Sequence, residues 1–110
     1  MQIRQLSPVL VVDAIEPCLP FWTERLGFEL VAQVDHGGAC GFALLANGGV
    51  RVMLQSRASI SDDMPKLSDR DRETSVLLYL DVDDIDAIER NLDGLTILVP
   101  RRKTFYGAEE

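Results

Sequence analysis

A short phrase occurs twice in the sequence, at an offset of 70 residues. Residues 12–16 read VDAIE and residues 82–86 read VDDID. Each phrase ends a run rich in β-branched and apolar residues, and each begins a segment whose apolar residues have helical spacing. Self-similarity at a fixed offset indicates duplication of a structural unit. The chain is therefore predicted to contain two copies of one unit that begins with a strand and a helix.

The first copy is predicted to continue with three strands after its helix. HGG at 36–38 and NGG at 47–49 are turn signals, because glycine and asparagine tolerate positive φ. Pro20 removes one backbone hydrogen bond, so the first turn of the helix is expected to be irregular. The predicted strand, helix and three strands span residues 3–12, 16–26, 28–35, 39–46 and 50–56.

The second copy is predicted to be shorter than the first. It follows a polar stretch that is either a solvated connector or a flap over a site. The predicted fold class is α+β, with tandem β-α-β-β-β modules, the second of which lacks its last hairpin. The predicted boundaries are 1–56 for the first module, 57–73 for the polar linker and 74–110 for the second module, which contains a strand at 74–82, a helix at 84–92 and a strand at 95–100.

Charge and apolar content exclude several classes of partner. The 110 residues include 18 acidic and 11 basic ones, a net charge of −7, whereas nucleic-acid binding needs a basic face. No run approaches the roughly 20 apolar residues of a membrane span, and Arg4, Pro8 and Asp13 interrupt any secretion signal. We therefore predict a cytoplasmic protein that binds neither nucleic acid nor membrane.

Few residues have the chemistry of a catalyst. Cys18 and Cys40 have no metal-binding spacing and are predicted to be free, buried thiols. His36 is the only histidine and lies in a predicted turn, so a nucleophilic triad has little support. The acids at 81–86 lack the glycine and glutamate of a calcium loop and are predicted to cap the second helix. These residues predict neither a catalytic set nor a cofactor.

Three phrases, taken together, resemble one known superfamily. Residues 19–28 read LPFWTERLGF, residues 50–55 read VRVMLQ and residues 80–85 read LDVDDI. In order and spacing they are similar to the vicinal oxygen chelate superfamily, which includes glyoxalases, bleomycin resistance proteins and extradiol dioxygenases. The resemblance covers nearly the whole chain. It implies paired modules whose curved mixed sheet encloses a cleft, with a final hairpin that would follow Tyr106.

The resemblance also implies where a metal would bind. Metal-dependent members hold it with His or Glu at positions that correspond here to Ser7, Met53 and Leu77. A hydroxyl, a thioether and an aliphatic side chain form a poor donor set. The implied function is that of the metal-free bleomycin resistance proteins, namely binding and sequestering a drug-like molecule without chemistry or cofactor. The alternatives are a metal-dependent lyase, transferase or dioxygenase with other ligands, and an interaction module with a vestigial cleft.

The period of two along a strand predicts which residues face the cleft. The net charge favours a cationic or aromatic ligand, whereas Arg51 favours a carboxylate or phosphate, and sequence leaves both open. A homodimer is expected as well, because a curved sheet leaves a face and two edges to cover. The predicted ligand-binding residues are Ser7, Arg51, Met53, Gln55, Leu77 and Tyr79.

Overall fold

Four strands form one mixed sheet in the first half of the chain. The computed structural model describes residues 1–68, 76 and 78–110, and it divides the chain into two compact units, Met1–Glu73 and Thr74–Glu110. The strand order is β1-β4-β3-β2, with β1 parallel to β4 and the other pairs antiparallel. The strands are β1 (Val9–Val12), β2 (Glu29–His36), β3 (Ala39–Asn47) and β4 (Val50–Ser56).

The three later strands lie close to their predicted positions, whereas the first is shorter. Gly37 and Gly38 have φ values of 60° and 85°, which suit the two-residue hairpin between β2 and β3. Residues 3–8 were expected to belong to β1, but pairing with β4 begins only at Val9. Pro8 has no N–H to donate, and its carbonyl accepts the Met53 N–H at 2.9 Å. The strand prediction is therefore wrong at its N-terminal end.

The helix between β1 and β2 is irregular. It consists of a 3₁₀ turn at Glu16–Cys18 and a π-helical turn at Phe21–Arg25. Pro20 lies between them and cannot donate to a carbonyl of the preceding turn. The wide turn closes through the Leu26 N–H and the Phe21 carbonyl, at 3.3 Å. The irregular start was predicted; the π geometry after Pro20 replaces the regular helix that was expected there.

A hydrophobic core lies between this helical segment and one face of the sheet. Trp22 packs edge-to-face against Phe21 and Phe28, with ring centroids 5.5 and 5.2 Å apart. Cys40 is buried and Cys18 half-buried, and both are free thiols; burial raises the pKa of the Cys40 thiol. The buried members of the core are Ile15, Trp22, Phe28, Cys40, Ala43, Leu45, Val52 and Leu54.

Glu16 ties the helical segment to the sheet. Its carboxylate accepts the backbone N–H of Cys40 at 2.5 Å. This hydrogen bond, together with one from its own backbone N–H, lowers the pKa of the Glu16 carboxyl, because both favour the charged form. The start of the helical segment is thereby held against β3, next to the buried thiol.

Two helices occupy the first part of the predicted polar linker. They are α1 (Arg57–Asp63) and α2 (Pro65–Ser68). Ser56 caps α1, since its hydroxyl accepts the Ser59 N–H at 3.2 Å, and Ile60 is only 3% exposed. Most of the stability of a helix in a protein comes from such tertiary packing. The sequence left a solvated connector and a flap as alternatives, and it did not predict that the first part of the linker is helical.

The second unit contains a capped helix and a small hairpin. Helix α3 (Ile85–Asn91) begins at Asp84, whose carboxylate accepts the Ala87 N–H at 3.0 Å, as predicted. Arg101 pairs with Asp86, Glu89 and Glu109, and this contact lowers the pKa of the Asp86 and Glu109 carboxyls.

The strands predicted for the second copy are not found among the described residues. Residues 78–82 and 95–100 have no strand pairing, and one isolated bridge joins Lys103 to Glu109. Alternating apolar residues give a segment strand propensity, but a strand also needs a hydrogen-bonded neighbour. The α+β class is confirmed, and its sheet is formed by the first copy. No helix in the described part of the chain is long and apolar enough to cross a membrane.

Candidate functional site

The sheet has a second face, opposite the core, which we term the open face. Residues directly paired across two strands point to the same side of a sheet, so the pairing register assigns each residue to a face. Met53 pairs with Leu44 on one side and with Val9 on the other. The open face comprises Val9, Val11, Glu29, Ala32, Val34, Phe42, Leu44, Ala46, Arg51, Met53 and Gln55.

The centre of the open face is apolar. Met53 and Leu44 are half-buried, and the Val9 residue is 47% exposed. The three side chains come from neighbouring strands and form one row across the sheet. A flexible thioether between two branched aliphatic side chains suits apolar or aromatic surfaces of varied shape. This row is the floor of the candidate site.

Arg51 marks one end of the floor. It pairs with Ala46 on β3 and lies two residues before Met53 on β4. Ser7 precedes the first paired residue of β1, Val9, by two positions, and its hydroxyl accepts a hydrogen bond from Gln5 Nε2 at 3.1 Å. Arg51 is exposed and has no ion pair among the described residues. This end therefore offers a cation next to an apolar surface.

Gln55 lies at the other end of the floor and is covered. It is only 7% exposed, and its side-chain amide donates to the Ser59 hydroxyl of α1 at 3.1 Å. Because the amide already has this partner and little exposure, Gln55 closes the end of the site rather than offering it a free polar group. A Cβ added at the neighbouring Gly41 would lie 3.3 Å from that of Ser59, so α1 also approaches β3 closely.

His36 connects the sheet to α1. Its Nε2 lies 2.7 Å from a carboxylate oxygen of Asp62, and its side chain is 34% exposed. The sequence predicted a solvent-exposed turn residue. Instead His36 is the last residue of β2, and α1 brings Asp62 to it across 26 positions of sequence. This contact helps to fix α1 at the covered end of the open face.

Four of the six predicted ligand-binding residues lie on the open face or continue it. They are Arg51, Met53 and Gln55 on β4, and Ser7 in front of β1. Tyr79 belongs to the second unit, where it is 71% exposed. Leu77 lies outside the described residues. The predicted set lacks the following open-face residues of β1, β2 and β3: Val9, Val11, Val34, Phe42 and Leu44. The two on β3 could have been identified from the alternation of apolar side chains along that strand.

The open face does not fit the metal site that the sequence resemblance implied. Met53, at its centre, offers a thioether, and its paired neighbours Leu44 and Val9 offer no donor. Ser7 offers a neutral hydroxyl. No cluster of three or more His, Cys, Asp or Glu side chains suited to a metal occurs among the residues that the structure describes. Divalent metals bind to carboxylate, imidazole or thiolate donors, and this floor supplies none.

Comparison with protein families identifies the group that the chain resembles. Residues 4–108 match the family model of the Glyoxalase/Bleomycin resistance protein/Dioxygenase superfamily. No curated protein matches the chain.

Solved structures share its architecture. A glyoxalase/bleomycin resistance protein/dioxygenase from Nocardioides is similar over 99% of this chain and 74% of its own, with 18% identity and a TM-score of 0.70. A virulence protein from Salmonella typhimurium is similar over 97% and 83%, with 18% identity and a TM-score of 0.56. Likenesses at this level of identity establish the fold alone.

A third structure is similar over a smaller part. It is a bleomycin-binding protein from bleomycin-producing Streptomyces verticillus, complexed with copper(II)-bleomycin, at 25% identity and a TM-score of 0.42. The similarity covers 51% of this chain and 42% of that one, so it spans less than half the length of that protein.

Proposed function

Because the chain belongs to the glyoxalase/bleomycin resistance protein/dioxygenase superfamily, we propose that it binds a small organic molecule on the open face without a metal and without chemical conversion. One observation carries this proposal: the centre of the face is the apolar row of Val9, Leu44 and Met53. Ligand pockets are lined mainly by apolar side chains with a few polar groups at defined points. The role that we propose is the sequestration of a drug-like molecule in the cytoplasm.

A screen of thermal stability tests the proposal. Aromatic and drug-like compounds are expected to raise the melting temperature of the full chain, because a ligand that binds only the folded state stabilises it. At a concentration about 100 times its Kd, a compound contributes about 2.7 kcal/mol. Zinc, nickel, manganese and iron are expected to leave the melting temperature unchanged.

Elemental analysis of protein purified without chelator provides the control for the metal arm of the screen. Less than a tenth of an equivalent of any of these metals is expected. One equivalent that is lost when Ser7 or Met53 is replaced by alanine would contradict the metal-free proposal and favour a metal-dependent lyase, transferase or dioxygenase. Stabilisation by no compound at all would favour an interaction module.

A homodimer is part of the same proposal. A pocket buries 70–90% of a small ligand, and one sheet face covers only one side of it. Val9 and Val34 on the open face are 47% and 60% exposed, and they lie on the same face as the apolar floor. A contiguous exposed apolar surface is typical of a binding site for a partner. A second copy of the chain would cover both side chains.

Light scattering is expected to give twice the chain mass of 12.2 kDa at tens of micromolar. Dilution to nanomolar concentration serves as the control, since a dimer must dissociate by mass action. A single chain mass throughout this range would contradict the dimer while leaving the ligand proposal in place.

A further inference from the structure

Arg51 is a cation at the end of an apolar floor, and none of the acids that the structure describes forms an ion pair with it. Arg57 pairs with Asp13, and Arg101 and Arg102 pair with acids of the second unit. Arg51 forms no such pair within the described ranges, although the chain has seven more acidic than basic residues. A guanidinium keeps its charge at any physiological pH, so Arg51 presents a permanent, unneutralised positive charge to the open face.

The neighbours of Arg51 leave room for an anion. Ala46, its pairing partner on β3, has a methyl group only, and on the other side β1 begins to pair with β4 only at Met53, two residues beyond Arg51. Glu29 is the nearest acid in the same row, since it pairs with Ala46 from β2. Two strand spacings separate the Glu29 and Arg51 backbones, about 9.6 Å. An anion bound at Arg51 itself would therefore lie two strand spacings from the Glu29 backbone, and none of the described acids is paired with Arg51.

We propose that Arg51 receives the anionic group of an amphipathic ligand whose apolar body lies on Met53, Leu44 and Val9. The inference rests on the proposed function and names the class of ligand, an aromatic or aliphatic carboxylate. The planar guanidinium matches a carboxylate with two parallel hydrogen bonds. Met53, the β4 residue of the floor, lies two residues along the strand from Arg51. This separation is about 6.8 Å, the length of a bicyclic aromatic ring system.

The net negative charge of the chain does not oppose this choice. At physiological ionic strength the Debye length is about 8 Å, so acids farther than this from the ligand are largely screened. A guanidinium in direct contact with the ligand is screened much less. The local cation therefore determines the charge preference of the site. From the sequence, the net charge favoured a cationic ligand and Arg51 favoured an anionic one. The surroundings of Arg51 in the structure favour the carboxylate.

Calorimetry with three matched probes tests the inference. The probes are 2-naphthoate, neutral 2-naphthamide and 2-naphthylmethylammonium, which share one aromatic body. The unmodified chain is expected to bind 2-naphthoate about three- to tenfold more tightly than the amide, as for a partly exposed charged hydrogen bond, and the ammonium more weakly than either. Arg51→Gln is expected to abolish the difference between naphthoate and amide. Arg51→Lys is expected to keep part of it, because the charge remains but the planar fork does not.

Lys66→Gln is the matched control. Lys66 is exposed, so this change removes the same charge away from the open face and is expected to leave all three affinities unchanged. Equal binding of the three probes, or an unaltered naphthoate preference in Arg51→Gln, would overturn the assignment to Arg51 and leave the ligand site in place. If none of the probes shifts the methyl NMR signals of Val9, Leu44 and Met53, both the anion inference and the proposed function fail.

Discussion

Leu45→Ala is expected to lower the free energy of unfolding by about 3 kcal/mol, whereas Leu44→Ala is expected to lower it by about 1 kcal/mol. The two leucines are neighbours on β3, but the strand alternation places them on opposite faces. Leu45 is fully buried in the core, so its removal creates a cavity in addition to the loss of apolar burial. Leu44 is half-buried on the open face, where water can occupy the space that the side chain leaves.

For ligand affinity, the order of the two effects is expected to be reversed: Leu44→Ala should have the larger effect and Leu45→Ala the smaller. Leu44→Ala removes part of the floor of the proposed site and should weaken 2-naphthoate binding about tenfold, since each buried CH₂ is worth about 0.8 kcal/mol. Leu45→Ala, measured at a temperature where it is folded, should bind the probe normally. Urea titration gives the stability difference, and calorimetry gives the affinity difference.

Each variant is the control of the other, because both make the same chemical change one residue apart. Equal losses of stability would mean that the two faces of β3 are buried alike and that the open face is not open. Normal naphthoate binding by Leu44→Ala would remove Leu44 from the floor of the site.

Gly41→Ala is expected to lower the free energy of unfolding by about 2 kcal/mol, although it adds a single methyl group. A Cβ at this position would lie 2.5 Å from the Cβ of His36 and 3.3 Å from that of Ser59. Neither contact atom is the end of a flexible side chain, so β2, β3 or α1 must shift. Gly41 has an ordinary backbone conformation, so the expected loss comes from the close approach and not from backbone strain.

Gly49→Ala is the matched control for Gly41→Ala. Nothing lies within 4 Å of a Cβ added at Gly49, and its φ is not positive. Its effect is expected to remain within about 0.5 kcal/mol. Thermal and urea unfolding of both variants give the comparison. A Gly41→Ala variant as stable as Gly49→Ala would show that His36 and α1 do not approach β3 as closely as the structure has it.

Local signals account for much of the first unit. The turn glycines and the strong alternation of apolar residues identified β2, β3 and β4 to within one or two residues, because turn conformation and side-chain alternation depend on near neighbours in sequence. Capping of α3 by the acids at 81–86 was predicted for the same reason, and Asp84 is the one that caps it. Three phrases in the right order and spacing were sufficient to indicate the superfamily.

The candidate site was predicted only in part. Arg51, Met53 and Gln55 share one strand, so alternation alone placed them on one face. Phe42, Leu44 and Val9 join them only through the register of β3 and β1 with β4. Alternation cannot show which face of a strand packs on the helical segment, and so it could not separate the open face from the core.

The sequence by itself determined the order of the four strands and the first helical segment, the turns, the charge balance and the family. Tertiary structure alone decided that β1 pairs in parallel with β4, that α1 covers the end of the open face, and that no acid in the described part of the chain pairs with Arg51. The physical reason is the separation in sequence over which each interaction acts. Propensity, periodicity and capping act over a few residues, whereas strand pairing, helix docking and the neutralisation of a charge depend on residues brought together from distant parts of the chain.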